Sequence, residues 1–380
     1  MQIKYPITRP YFDEIEINNI RECLASGWVT QGPMVSRFEK KFMELHGGDN
    51  AMAVSSCTAG LHLAVISLGI GAGDEVLVPA FTWVTSANCV EYTGARAVFV
   101  DVDYRTFNIA PKEIEAHITS RTKAIVVVHE FGKAAPMDEI MGIADKYGLK
   151  VIEDCACAIG TTYKGRPVGT IGDVGIFSFH PRKAVTTGEG GICITSDRSL
   201  AIKIDSLRNH GASTDAEDSD YGEPWYMGNY DFLGYNYRMS DIQAAVGLAQ
   251  LDKLKELLNE RKKCAKTYIE LLRRNDILRL PNVDGDEGHT FQSFVVLLPE
   301  GEHELRNRMM RTMKENAIQT RQGTQAVHRL GYYRSKYDIK SEDYPVAAYC
   351  EDCTITLPLY PNMTIDEQKY IADIIRNICI

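Results

Sequence analysis

Residues 174–183 read Val174-Gly175-Ile176-Phe177-Ser178-Phe179-His180-Pro181-Arg182-Lys183, and a glycine-rich stretch, Thr187-Gly188-Glu189-Gly190-Gly191, follows. The near-continuous apolar run Val174–Phe179 is what a strand covered on both faces requires, and such strands belong to parallel sheets flanked by helices. Lys183 then falls on a tight turn after a buried strand. An amine held there can be desolvated and act as a nucleophile, although most lysines are solvated surface charges.

The same alternation extends outward on both sides. Strand-like runs occur at Glu75–Pro79, Ala97–Val102, Ala124–His129, Val151–Asp154 and Gly191–Thr195, with helical patterns such as Met137–Tyr147 and Leu200–Leu207 among them. This predicts an α/β fold with a mostly parallel sheet between helices. Ser240-x-x-Gln243 has the spacing of a capping box and opens a helical pattern through Ile242, Val246, Leu248, Leu251, Leu254 and Leu258, expected to bridge two parts. A strand-like Phe294–Leu298 and a closing helix Ile365–Ile378 follow. The expected division is an N-terminal segment and large domain over 1–255 and a smaller α+β domain over 256–380.

Composition narrows the function. The 380 residues carry 42 Lys+Arg against 51 Asp+Glu, a net charge of −9, with 44% apolar and 24% charged residues, which is ordinary for a globular protein. The basic residues form no block, which argues against nucleic acid or an anionic membrane as the main partner and favours a small molecule. No apolar run approaches the ~20 residues that span a bilayer, and residues 1–6 lack a signal-like apolar region, so the expected location is cytoplasmic. The ten cysteines read as reduced thiols; Cys350-x-x-Cys353 has no second pair beside it, and no metal is assigned.

Four local signals fall at or just past the C-terminal ends of strands, where open α/β sheets place ligands. Ser55-Ser56-Cys57-Thr58-Ala59-Gly60 precedes an apolar helix and offers either an anion seat or an ordinary N-cap. Val151-Ile152-Glu153-Asp154 ends a buried strand in two acids, and Asp154 needs a partner: a cofactor's protonated ring nitrogen, or an Arg such as Arg208. Trp83 could stack on a flat ring or sit in the core. Lys183 is the fourth. A phosphate seat, an acid at one strand end and a Lys at another are together what a pyridoxal phosphate (PLP) site needs. The rival dinucleotide fingerprint is missed in spacing by Gly69-x-Gly71-x-Gly73 and Gly169-x-x-Gly172-x-x-Gly175, and neither a P-loop nor H-E-x-x-H occurs.

In this context the chain resembles the sugar aminotransferases of the DegT/DnrJ/EryC1/StrS type, a branch of the fold-type I, aspartate-aminotransferase-like PLP enzymes. The matching stretches are Thr30-Gln31-Gly32-Pro33, Ser55–Ala59, Gly71–Val76, Val128-His129-Glu130-Phe131-Gly132, Glu153-Asp154, Phe177–Lys183 and Gly234–Ala245, covering nearly the whole chain in order. The resemblance implies that Lys183 is the Schiff-base lysine, Asp154 pairs with the pyridine nitrogen and Trp83 stacks on the ring. It further implies a phosphate held by Thr58, Ala59 and Ser178, with Asn236 reaching across from a second subunit, hence a homodimer with shared active sites. Many relatives place Gln or His where this chain has Cys157, which puts the contact to the cofactor's O3′ in doubt because a thiol is a weak hydrogen-bonder.

The implied reaction is a ping-pong transfer from L-glutamate or L-glutamine to a keto-sugar, most plausibly a nucleotide-linked 4- or 3-keto-6-deoxyhexose, in amino-sugar and polysaccharide biosynthesis. A cyclitol, a small phosphorylated ketone, or a non-catalytic PLP-binding regulator are the alternatives; a sugar 3-dehydratase would have His at the position of Lys183. Arg321, His328 and Tyr332 stand where the C-terminal part could approach the substrate, or on a surface loop. The polar stretch 209–235, with Trp225, Tyr226 and Tyr230, could cover a nucleotide or pack at a dimer interface.

Overall fold

The computed structural model describes residues 3–213, 228–282 and 288–378. The central sheet is built from β1 (Asn50–Val54), β2 (Glu75–Pro79), β3 (Arg96–Val100), β4 (Thr122–Val128), β5 (Lys150–Asp154), β6 (Val174–Ser178) and β7 (Gly191–Thr195). Its spatial order is β1-β7-β6-β5-β4-β2-β3. The five strands from β6 to β3 run parallel, whereas β7 lies antiparallel to both β6 and β1. The mostly parallel sheet is the one expected from the apolar runs, with strand ends shifted by a residue or two, and the antiparallel β7 makes it mixed. β1 was not among the expected strands, because Asn50-Ala51-Met52-Ala53-Val54 has little of the β-branched character that marks one.

Helices α1 (Glu14–Ser26), α2 (Pro33–His46), α3 (Cys57–Ser67), α4 (Met137–Tyr147) and α5 (Arg198–Arg208) belong to the N-terminal half. Rings of Phe38 and Phe42 on α2 pack edge-on against Phe177 and Phe179, fixing β6 from one side. Each buried ring contributes roughly 1.5–3 kcal/mol. Asp241 accepts hydrogen bonds from the backbone N–H groups of Gly32, Met34 and Val35 at 2.8–3.1 Å, so one carboxylate caps α2 and joins two distant sequence stretches.

The single helix expected from Ser240 to Leu258 is two, α6 (Asp241–Asp252) and α7 (Leu254–Leu272). Ser240 and Gln243 do form the capping box. The break falls at Lys253, whose amine pairs with the buried Glu16 at 2.6 Å and the half-buried Asp13 at 3.0 Å. The expected division at 255/256 thus lies at the start of α7. Further along, β8 (Phe294–Leu297) pairs antiparallel with β9 (Thr354–Leu357) and packs with α7, α8 (His303–Glu315) and α9 (Ile365–Ile378) around Tyr268, Met309 and Ile371. A short strand pair, Phe81–Thr82 with Gln325–Ala326, carries this part back to the main sheet. Among the described residues, no helix is long and apolar enough to cross a membrane.

Candidate active site

At the C-terminal ends of β4, β5 and β6 a cavity of about 680 Å³ opens, lined among others by Thr58, Trp83, Asp154, Cys157, Ser178 and Lys183. That is within the ordinary range for a small-molecule site. Lys183 is set by a turn in which its N–H donates to the His180 carbonyl at 2.8 Å, while the Arg182 N–H donates to His180 Nδ1 at 3.1 Å. Gln292 ties the turn to the C-terminal part by donating to the Arg182 carbonyl at 2.6 Å. Lys183 Nζ lies 3.1 Å from Cys157 Sγ.

Asp154 is only 4% exposed and, among the described residues, has no cationic side chain bonded to it. It accepts from Ser86 Oγ at 2.7 Å and from the Ala156 N–H at 3.1 Å. Burial lifts its carboxyl above the ordinary value despite the Ser86 bond. Arg208, the alternative partner, is engaged elsewhere: it forms ion pairs with Glu39, at 2.6 Å, and with Asp205. For Lys183, burial favours the neutral amine, but Cys157, Cys57 and Asp154 outweigh it and hold its pKa above that of an ordinary lysine. Burial also pushes the Cys157 thiol up.

The first turn of α3 faces the same cavity through Cys57 and Thr58. Ser56 is its N-cap and accepts from the Ala59 N–H at 3.1 Å, so the N–H groups at Cys57 and Thr58 are the ones left for a ligand. Ala59 itself is buried and does not line the cavity. The close seat of this turn depends on Gly191, where a Cβ would stand 2.6 Å from the Cys57 nitrogen. Trp83 is 48% exposed at the cavity, with the Arg182 guanidinium 5.9 Å from its ring centre.

The remaining sequence expectations fare differently. Arg321 lines the cavity, its backbone paired with Thr356. His328 does not: it is fully buried, with Nε2 at 3.2 Å from the Ser341 carbonyl and its ring against Tyr344. Tyr332 is exposed and bonds Glu91 at 3.2 Å, outside the cavity. Both therefore stand apart as packing and surface groups, because the stretch after the Gln325–Ala326 strand turns away from the site. Asn236 is exposed and paired through its backbone with Asn209, so it is not brought to this cavity within one chain. Trp225 and Tyr226 lie outside the described residues, while Tyr230 is exposed.

Sequence reasoning missed Ser86, Gly191 and Glu130. Ser86 carries no local signal, since only the fold brings it to Asp154. Glu130 did carry one: like Asp154 it is an acid just past an apolar strand. The buried group His129, Glu153 and Cys155 has metal-ligand chemistry, but its main polar capacity is used by the fold. Glu153 accepts from His129 Nε2 and from the N–H groups of Gly169, Ile171 and Gly172, and His129 Nδ1 accepts from the Ala135 N–H. Cys350 and Cys353 are buried free thiols.

The donor set fits PLP: helix N–H groups and the Ser178 hydroxyl for a phosphate, an amine for a carbonyl, and a buried acid without a cation for a protonated ring nitrogen. Comparison with known proteins agrees, and the chain is a PLP-dependent aminotransferase. It belongs to the DegT/DnrJ/EryC1/StrS aminotransferase family, whose family model matches residues 10–376. The spore coat polysaccharide biosynthesis protein SpsC of Bacillus subtilis (strain 168) is 40% identical over 377 residues, 98% of this chain and 96% of the relative. Among solved structures, the aminotransferase from Psychrobacter cryohalolentis superposes with a TM-score of 0.91 at 32% identity, covering 97% of this chain and 98% of its own. Spr1654 from Streptococcus pneumoniae, described as a candidate sugar aminotransferase and solved in its PMP form, gives 0.93 at 27% identity, covering 98% of each chain.

Proposed function

We propose that this enzyme moves an amino group from L-glutamate or L-glutamine to a keto-sugar, a nucleotide-linked 4- or 3-keto-6-deoxyhexose, in amino-sugar and polysaccharide biosynthesis. The observation that carries the reading is that the Lys183 amine, the Asp154 carboxyl and the first turn of α3 open onto one cavity. SpsC, named for polysaccharide biosynthesis, and Spr1654 support the sugar acceptor.

PLP, when bound, supplies a carbonyl that exchanges amino groups and a ring that withdraws electrons. Thr58, Cys57 and Ser178 would hold its phosphate, Trp83 would cover its ring, and Asp154 would hold a positive charge at its ring nitrogen. Lys183 Nζ would carry the link to the cofactor's carbonyl. Once displaced by the amino donor, the same Nζ takes and returns the proton at the substrate carbon as general base and acid. The Arg321 guanidinium at the cavity suits the donor's carboxylate, which it can grip through two parallel bonds. Asn236, exposed on one subunit, completes the phosphate seat of a second in a homodimer.

The test is an absorbance spectrum of the purified protein before and after L-glutamate, then after a nucleotide-linked 4-keto-6-deoxyhexose, with Lys183→Ala beside it. The expected result is a visible band that moves to the near ultraviolet with glutamate and returns with the keto-sugar, both changes absent from the variant. Near-normal turnover by Lys183→Ala overturns the assignment.

A further inference from the structure

Glu130 is an acid the reaction above does not use. It is 4% exposed, lines the cavity, and its carboxyl has no hydrogen-bond partner among the described residues. Its backbone is held in place: the N–H donates to Asn108 Oδ1 at 2.8 Å, and the next two residues take positive φ, 57° at Phe131 and 91° at Gly132. A non-glycine residue in that region is uncommon and persists where the surroundings enforce it.

The strand order says what Glu130 faces. Asp154 ends β5; Ser178 ends β6 on one side of it, and α3 packs over β6 and β7 on that same side. Glu130 follows β4, on the other side of β5. In PLP the phosphate arm and the ring hydroxyl flank the reactive carbonyl on opposite edges of the ring. With the phosphate held toward β6 and the ring nitrogen at Asp154, the hydroxyl edge would meet the β4 side. Cys157, beside the Lys183 amine, also lines the cavity after β5, and a thiol is a weak donor.

We propose that Glu130 is a cofactor-positioning residue whose carboxyl donates a hydrogen bond to the ring oxygen of bound PLP. This rests on the assignment of Lys183 and Asp154 above. Burial, with Asp154 nearby, pushes the Glu130 carboxyl up to about 8, so it keeps its proton at neutral pH. The titratable groups that share the cavity with it are Asp154 and Cys157 after β5, Lys183 and His180 after β6, and Cys57 on α3, and of these Asp154 and Lys183 act on it. Glu189, Arg182 and Arg321 also line the cavity, and Lys183 is the charge that favours its ionised form.

The test uses PLP itself. Its dissociation constant and the pH dependence of its visible absorbance are measured for the parent, Glu130→Gln, Glu130→Leu and Lys183→Ala, with circular dichroism confirming that each variant is folded. Glu130→Leu is expected to weaken PLP binding about tenfold and to move the spectral titration. Glu130→Gln, which keeps a neutral donor, is expected to bind within about threefold of the parent and to lack the parent's weakening above about pH 8. If both variants bind and titrate like the parent, or if Gln loses as much as Leu, the proposal falls. A visible band unaltered by Lys183→Ala would instead overturn the underlying assignment.

Discussion

Ser86→Ala tests the link on which Asp154 depends. Ser86 Oγ donates to Asp154 Oδ2 at 2.7 Å, and the two residues are 0% and 4% exposed, so no solvent replaces the bond. A hydrogen bond to a charged group contributes ~1.5–3 kcal/mol, equivalent to roughly 1–2 in pKa, so the variant raises further an Asp154 that burial has already raised. If the Asp154 anion is what holds positive charge at the cofactor's ring nitrogen, the loss falls on kcat, by roughly 10- to 150-fold at little change in KM. An acid raised by folding binds more protons in the native than in the unfolded state between its ordinary and its raised pKa. Stability of the cofactor-free protein therefore falls as pH climbs through that interval, and Ser86→Ala widens it. The assay is kcat against pH together with urea unfolding of the cofactor-free protein; the kcat deficit should be largest at the acidic end. A variant with kcat within about twofold of the parent, or with a deficit independent of pH, refutes the reasoning. Thr82→Val is the graded control, since Thr82 Oγ1 lies 3.1 Å from Ser86 Oγ and acts one bond further away.

Gly191→Ala puts a Cβ 2.6 Å from the Cys57 nitrogen and must displace the first turn of α3; PLP affinity should fall on the order of tenfold or more, and unchanged affinity by equilibrium dialysis would remove the phosphate seat from this turn. His328→Ala should leave the KM for amino donor and acceptor as they are while lowering the melting temperature, because the ring is fully buried away from the cavity; a selective rise in either KM would return His328 to the substrate. Arg208→Met leaves Glu39 and Asp205 without their cation and should cost about 3–5 kcal/mol in urea unfolding, against a result below about 1 kcal/mol that would show the pair to be dispensable.

What the sequence made legible was whatever the chain encodes locally. An apolar run such as Ala124–Val128 has to be a buried strand, and Ser240 with Gln243 supplies both halves of a cap within one turn, so neither reading needed the rest of the fold. Lys183, Asp154 and Thr58 could be brought together from sequence because each sits beside a strand end or a helix start, and parallel sheets collect such positions at one edge. The failures are residues whose role depends on a distant partner. Lys253 reads as one more exposed helical lysine, yet it pairs with Glu16, far upstream, at the point where the helix breaks. His328 sits two residues past a strand that does reach the site, yet the short turn at 327–329 carries it into the packing beside Tyr344. Asp241 follows a capping serine and looks like an ordinary first-turn acid, but its carboxylate faces α2 and caps that helix across the fold. Glu130 shows the opposite error: its signal was local and available, an acid after an apolar run, and it gains meaning only once strand order puts it across β5 from the phosphate seat. A buried acid at a strand end is therefore a reason to look for a ligand, and the identity of the neighbouring strand decides which edge of that ligand it meets.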